Sequence, residues 1–292
     1  MRNKQFITDG YSVWLYSPRR YGKSSLIHKV FNELTNIKLI YFDLYNVFST
    51  DNFCRKYSKL LAKEKLQPIC IAFDEFQEIE RIDPFMINWM RSVFQTQENV
   101  SYIFLGSKQS LMRNIFSSVN SPFYEFAVKM DIKPISYNDL FEFIKSKFGQ
   151  QKMPILDKNI DDILQVSECH PHFTQYFASV VFDMIRSGEN QDVDNFKNMW
   201  LNKIIDSQSV IFQHIFDQLK NNQRRILSLI AIPDDRAELF SEETRNKYQL
   251  PASSSINTIL KALMKKDLIH KADNLYKVDN PVFKAWLRQI SK

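Results

Sequence analysis

Ser17-Pro-Arg-Arg-Tyr-Gly-Lys-Ser24 joins an apolar run to a segment of helical periodicity. A helix N-terminus presents free backbone N–H groups and a dipole that favours negative charge. Gly22 permits close backbone approach, Lys23 can reach β- and γ-phosphates, and the Ser24 hydroxyl can ligate Mg2+. The candidate phosphate-contacting residues are Ser17, Pro18, Arg19 and Arg20, then Gly22 to Ser25. Ser17 stands where the pattern GxxxxGK[ST] places its first glycine, a position at which serine has less backbone freedom. Arg19 and Arg20 add positive charge that can meet phosphate or pair with acids elsewhere.

Fifty residues on, Ile69-Cys-Ile-Ala-Phe-Asp-Glu75 is an apolar run ending in two carboxylates. Successive residues of a strand point to opposite sides. Asp74 can therefore face a metal ion beside Ser24 while Glu75 faces the water that attacks a γ-phosphate. Glu78 and Glu80 read as helix or loop surface. A further apolar run ends at Gly106-Ser107-Lys108, where Ser107, or failing it Lys108, can sense the γ-phosphate.

These residues need a scaffold that brings strand ends together. Strands are expected at 12–16, 38–43, 69–73, 102–106 and 128–132, with helices at 22–34, 51–63 and 84–94. Such alternation predicts an α/β fold, a parallel sheet with helices on both faces. Strands then stop at Pro134. Helices are expected at 136–148, 156–166, 171–186 and 193–205, with Ser136 as an N-cap. From 207 onward helices are expected at 208–219, 223–232, 241–248 and 253–265. A hairpin over 268–278, turning at Asp273-Asn274, completes what reads as a winged helix-turn-helix. The expected domains are 1–134, 135–206 and 207–292.

Composition bounds the remaining choices. A chain of 292 residues with 44% apolar content can bury a core and form two or three domains. No run reaches the ~20 apolar residues of a membrane span, and the opening residues lack an apolar signal core. Cys54, Cys70 and Cys169 have no metal-ligand or redox spacing, which suits a reducing, cytoplasmic setting. The net charge of +6 permits an anionic partner such as nucleic acid. On helix 253–265, Ser254, Asn257 and Lys261 lie on the polar face, and Lys271 lies on the hairpin. This set can contact DNA phosphates, or the module can serve protein packing.

Taken together, SPRRYGKSSL, AFDEFQEI, FLGSKQSLM and HPHFTQYF resemble the archaeal-type ATPases of the STAND branch of AAA+-like P-loop proteins. The resemblance covers most of the chain. It implies a five-stranded parallel core, a helical lid and a winged helix, with ATP and Mg2+ as ligands. It also implies a nucleotide role for Tyr21 and places His170 and Pro171 beside the adenine, while His170 and His172 read equally as a helix cap and a packed side chain. It assigns no chemistry to Thr174 or Gln175. Relatives often carry Gly-Arg after a Pro-Leu-Tyr-like string, whereas Pro122-Phe-Tyr124 is followed here by Glu125-Phe126; if that arginine neutralises transition-state charge, turnover is expected to be slow.

The expected activity is ATP binding and hydrolysis driving a molecular switch, with Lys23 and Glu75 as the catalytic pair. The alternatives are a nucleotide-gated switch with negligible turnover, a DNA-binding regulator, and a small-molecule kinase. The adjacent Asp74-Glu75 and the winged helix speak against the last. ATP and ADP are the expected ligands, a protein partner or a second copy of the chain is in scope, and a membrane is not.

Overall fold

The computed structural model describes residues 6–34, 36–61, 68–232, 239–272 and 275–291. They fall into two compact units, Met1–Pro134 and Ile135–Lys292. The first alternates strands and helices: β1 (Val13–Tyr16), α1 (Lys23–Glu33), β2 (Lys38–Asp43), α2 (Thr50–Leu61), β3 (Ile69–Asp74), α3 (Ile79–Ile82), α4 (Met86–Phe94), β4 (Val100–Leu105), α5 (Gln109–Ser117) and β5 (Val128–Asp131). All strand pairs are parallel, in the order β2-β3-β4-β1-β5. In such a sheet, ligands bind beyond the carboxyl ends of the strands.

The period of two along each strand sorts the core into two faces. Val13 and Leu15 of β1, Cys70 and Ala72 of β3, and Ile103 and Leu105 of β4 pack with Ile27 and Val30 of α1. The other face is aromatic: Trp14, Phe73, Tyr102 and Phe104 pack with Phe53, Phe76, Phe94, Phe116 and Phe123. Small side chains at 70 and 72 suit close approach of α1 to the sheet. Asp74 continues the series 70, 72, 74, so its side chain projects on the α1 side. That parity delivers the carboxylate to the start of the helix carrying Ser24.

The second unit contains α6 (Tyr137–Gln150), α7 (Asp157–Ser167), α8 (Pro171–Arg186), α9 (Phe196–Asp217), α10 (Asn221–Ala231), α11 (Glu242–Lys247), α12 (Ser253–Lys265), β6 (Ile269–Ala272), β7 (Leu275–Val278) and α13 (Pro281–Ile290). Ser136 caps α6 by accepting the Asp139 N–H. Asn280 caps α13 by accepting from the N–H groups of Val282 and Phe283, with Pro281 at the first helical position. One apolar cluster runs through the unit, from Leu140 and Phe177 through Trp200 and Phe212 to Leu263 and Trp286. β6 and β7 pair antiparallel, with Ile269 opposite Val278. Among the described residues, no helix is long and apolar enough to cross a membrane.

The structure differs from the sequence expectation in several places. The helices expected at 193–205 and 208–219 are one helix, α9, of 22 residues. Asp206-Ser-Gln208 contains neither glycine nor proline, and the buried series Trp200, Ile204, Ile205 and Phe212 continues across it. The boundary expected after residue 206 therefore falls inside a helix. The helices α5 and α13 had no counterpart in the sequence reading. The hairpin turn at Asp273-Asn274, and the last residues of the helix expected at 51–63, lie outside the described residues.

Candidate nucleotide site

The loop from Ser17 to Gly22 links the end of β1 to the start of α1. Its left-handed positions are Arg20, at φ 61°, and Gly22, at φ 80°. Ser17 is not among the positive-φ residues, so serine meets no backbone penalty where the pattern has glycine. Ser17 is only 2% exposed, whereas Pro18, Arg19, Arg20 and Ser25 are exposed and Tyr21 is half-buried. Gly22 stands at the N-cap of α1 and has no side chain to offer a cap hydrogen bond. The free N–H groups of the first turn thus face the loop.

Lys23 is 7% exposed. Its Nζ donates to the carbonyl oxygens of Pro18 at 2.9 Å and Ser17 at 3.3 Å, and to Ser17 Oγ at 3.3 Å. Burial pulls its pKa below the ordinary lysine value, while the charges of Glu75 and, less strongly, Asp74 oppose that shift. A desolvated cation thus sits inside a loop of backbone dipoles, opposite two acids.

Ser24 Oγ donates to Asp74 Oδ2 at 2.8 Å, across 50 residues of sequence. The same oxygen accepts from the hydroxyl of Tyr41. Burial, then the bond to Asp74, pushes the Tyr41 pKa up and keeps the hydroxyl a donor. The Tyr41 ring stacks on His28 of α1, with centroids 4.7 Å apart. Glu75 follows in the left-handed region, at φ 51°, where its N–H donates to Asp74 Oδ1 at 2.9 Å. This turn aims the two neighbouring carboxylates differently. Glu75 Oε2 accepts from Ser107 Oγ at 2.7 Å. Because β4 lies between β3 and β1, Ser107 arrives from the strand end between the loop and the acids.

The expected residues Lys23, Ser24, Asp74, Glu75 and Ser107 are therefore brought together. Lys108 instead is half-exposed, with its Nζ 3.6 Å from Glu78 Oε1. Glu78, expected on the surface, has a side chain only 13% exposed and also pairs with Arg81 at 2.8 Å. The short turn after Glu75 folds Glu78 inward. His170 and Pro171 belong to the second unit, where His170 is the N-cap residue of α8 and Pro171 its first residue. Thr174, which had no assigned role, is buried and hydrogen bonded to Ser167 Oγ at 2.8 Å. Ser254, Asn257, Lys261 and Lys271 are all exposed. Tyr41 and Gln77 were missed as site residues. The parity of β2 with β3 was a signal for Tyr41, since Tyr41 pairs with Ala72 on the face that carries Asp74.

The Ser24 hydroxyl and the Asp74 carboxylate offer hard oxygen donors within hydrogen-bond reach of each other, a donor set that fits Mg2+ completed by water and phosphate oxygens. Among the described residues, no cluster of three or more His, Cys, Asp or Glu could hold a metal by itself.

The parallel sheet, the loop closing on Lys23 and Ser24, and the acids at the end of β3 define an AAA-type P-loop ATPase fold. Residues 10–141 match the AAA domain family, and residues 210–289 match a probable winged helix domain. The chain thus carries an AAA domain followed by a C-terminal winged helix. Among solved structures it is similar to the Walker-type ATPase PABY2304 of Pyrococcus abyssi, with TM-score 0.71 and 19% identity, covering 98% of this chain and 95% of that one. It is also similar to the ORC2 protein of Aeropyrum pernix, solved as ADPNP-ADP complexes, with TM-score 0.59 and 10% identity over 99% and 92% of the two chains. The ORC1 protein of the same organism, in complex with DNA, matches with TM-score 0.57 and 12% identity over 99% and 90%. No curated protein matches the chain.

Proposed function

We propose that the chain binds ATP and hydrolyses it slowly, as a nucleotide-dependent switch. The hydrogen bond from Ser24 Oγ to Asp74 Oδ2, beside the buried Lys23, is the observation that carries this reading. Lys23 would exchange the carbonyls of Ser17 and Pro18 for β- and γ-phosphate oxygens, which balance its charge better than dipoles do. The N–H groups at the start of α1 would take the remaining phosphate oxygens. Mg2+ held by Ser24 and Asp74 would neutralise phosphate charge. Glu75 would take a proton from water as its oxygen bonds to the γ-phosphorus and the bond to the β-phosphate oxygen breaks, giving ADP and phosphate. Ser107 would hold Glu75 in place.

The test is nucleotide binding and multiple-turnover phosphate release by the full chain. Lys23→Ala should lose nucleotide affinity by tenfold or more, roughly the worth of a charge-assisted contact. Glu75→Gln should retain binding and lose turnover by about a hundredfold or more, in the range of general-base catalysis. Unchanged turnover in Glu75→Gln would remove Glu75 from the mechanism.

A second reading, a nucleotide-gated DNA-binding regulator with little turnover, is favoured by the exposed polar and basic residues of α12 and the hairpin. The DNA complex of the Aeropyrum pernix neighbour adds support by analogy of fold. On this reading Ser254, Asn257, Lys261 and Lys271 face the duplex. DNA binding that persists without nucleotide would favour it over the switch. Tyr21, His170 and Pro171 stand as proposed nucleotide contacts, to be checked by affinity after substitution.

A further inference from the structure

Gln77 stands two residues beyond Glu75 and is 3% exposed. Its Nε2 donates to Glu75 Oε2 and lies 3.4 Å from Ser107 Oγ. Ser107 Oγ donates to that same Oε2 at 2.7 Å. Two donors thus converge on one carboxylate oxygen, and no side chain among the described residues holds Oε1. The amide orientation is costly to the protein, because Gln77 Oε1 is buried without a hydrogen-bond partner. The flipped amide would set that oxygen against a carboxylate, so the orphan is tolerated for what Nε2 does.

The seat of Gln77 is also built. A Cβ at Gly106 would overlap Gln77 Oε1 and Met112 Sδ. The φ of Gly106 is not in the left-handed region, so a side chain there would meet the Gln77 amide and the Met112 side chain and not a backbone penalty. Gly106, the last residue before Ser107, thus leaves the space that the Gln77 Oε1 occupies. The Glu75 backbone, at φ 51°, already points the side chain in a direction that few L residues adopt.

We infer that Gln77 is a positioning residue for Glu75: it and Ser107 pin Oε2, turning Oε1 to the reacting water. This rests on the reading of Glu75 as the general base. A carboxylate so clamped keeps the near-attack orientation that a freely rotating one would visit only part of the time. Gln77 acts through Glu75 and need not touch nucleotide.

The experiment measures kcat and KM for Mg-ATP, and nucleotide affinity, in the full chain carrying Gln77→Met, Gly106→Ala, Glu75→Gln and the pair Glu75→Gln with Gln77→Met. Gln77→Met keeps the length of the side chain and removes the donor. It should lower kcat about tenfold with KM and affinity unchanged, as expected for a contact realised in the transition state. Gly106→Ala, which displaces the amide, should give the same loss. In the Glu75→Gln background, Gln77→Met should cause no further loss, because its effect passes through that carboxylate. Wild-type kcat in Gln77→Met, or a loss that multiplies with that of Glu75→Gln, overturns the inference while leaving the base assignment intact. Wild-type turnover in Glu75→Gln removes the base assignment, and the inference with it. Thermal melts accompany each variant: should Gly106→Ala fail to fold, the Gln77→Met comparisons decide alone.

Discussion

Cys70 and Asp74 share one face of β3, yet their environments differ in kind. Asp74 meets hydroxyl donors from Ser24 and Tyr41, so its charge is answered. Cys70 is fully buried, and burial pushes its thiol up from 9.0 to about 11. A folded pKa above the unfolded one means that the native state holds the proton longer. The contribution is fully present below pH 9.0 and is lost as pH rises through about 11. The wild type should therefore lose up to ~3 kcal/mol across that window relative to Cys70→Val, which has no thiol to ionise. Urea unfolding of both proteins at pH 8 and pH 10.5 checks this; equal losses would refute it. The phosphate loop and the acid pair were legible in sequence because their spacing is local and their types are restrictive. Gln77 and Tyr41 were not, because a glutamine in a turn or a tyrosine in a strand takes its role from partners up to 33 residues away.

Phe73 occupies the centre of the aromatic face of β3, immediately before the acids. It is fully buried, and its ring lies against Phe42, Phe53, Phe94, Tyr102 and Phe104. Removing it leaves a cavity between layers that cannot easily collapse, because its neighbours are themselves large and interlocked. Phe73→Ala should cost about 3–5 kcal/mol, and Phe73→Leu clearly less. Equilibrium denaturation measures both, and a cost below ~1 kcal/mol for Phe73→Ala would show that the layer repacks freely. β1, β3 and β4 were readable from their apolar runs because a strand buried on both sides carries little else. The helix α9 was misjudged as two helices because Asp206, Ser207 and Gln208 resemble a linker by type. Polar residues on the outer face of a long helix look the same.

The net charge of +6 belongs to the molecule as a whole, but its effect on partners depends on where cations stand exposed. Lys261 and Lys271 are exposed on the winged-helix portion. If they meet phosphates, duplex DNA binding by the full chain should weaken steeply with salt. The double variant Lys261→Ala, Lys271→Ala should flatten the log–log slope by about 2. No binding at low salt would exclude duplex DNA as the partner, and an unchanged slope would remove these two lysines from the interface. The fold class was visible from the order of elements, since strands alternate with helices as far as Pro134 and helices follow. That Leu140 and Trp286 share one apolar core was not visible, because it is a fact of packing that no local pattern carries.

The unbroken α9 constrains how any signal from a nucleotide could travel. At 22 residues it is a shaft ~33 Å long, and the ion pair of Lys284 with Glu168, at 2.7 Å, pins α13 to the turn before α8. A stiff rod with a second fastening does not hinge at its middle. A twist applied to α8 would therefore carry α13 with it as a single swing rather than being lost at a joint within α9.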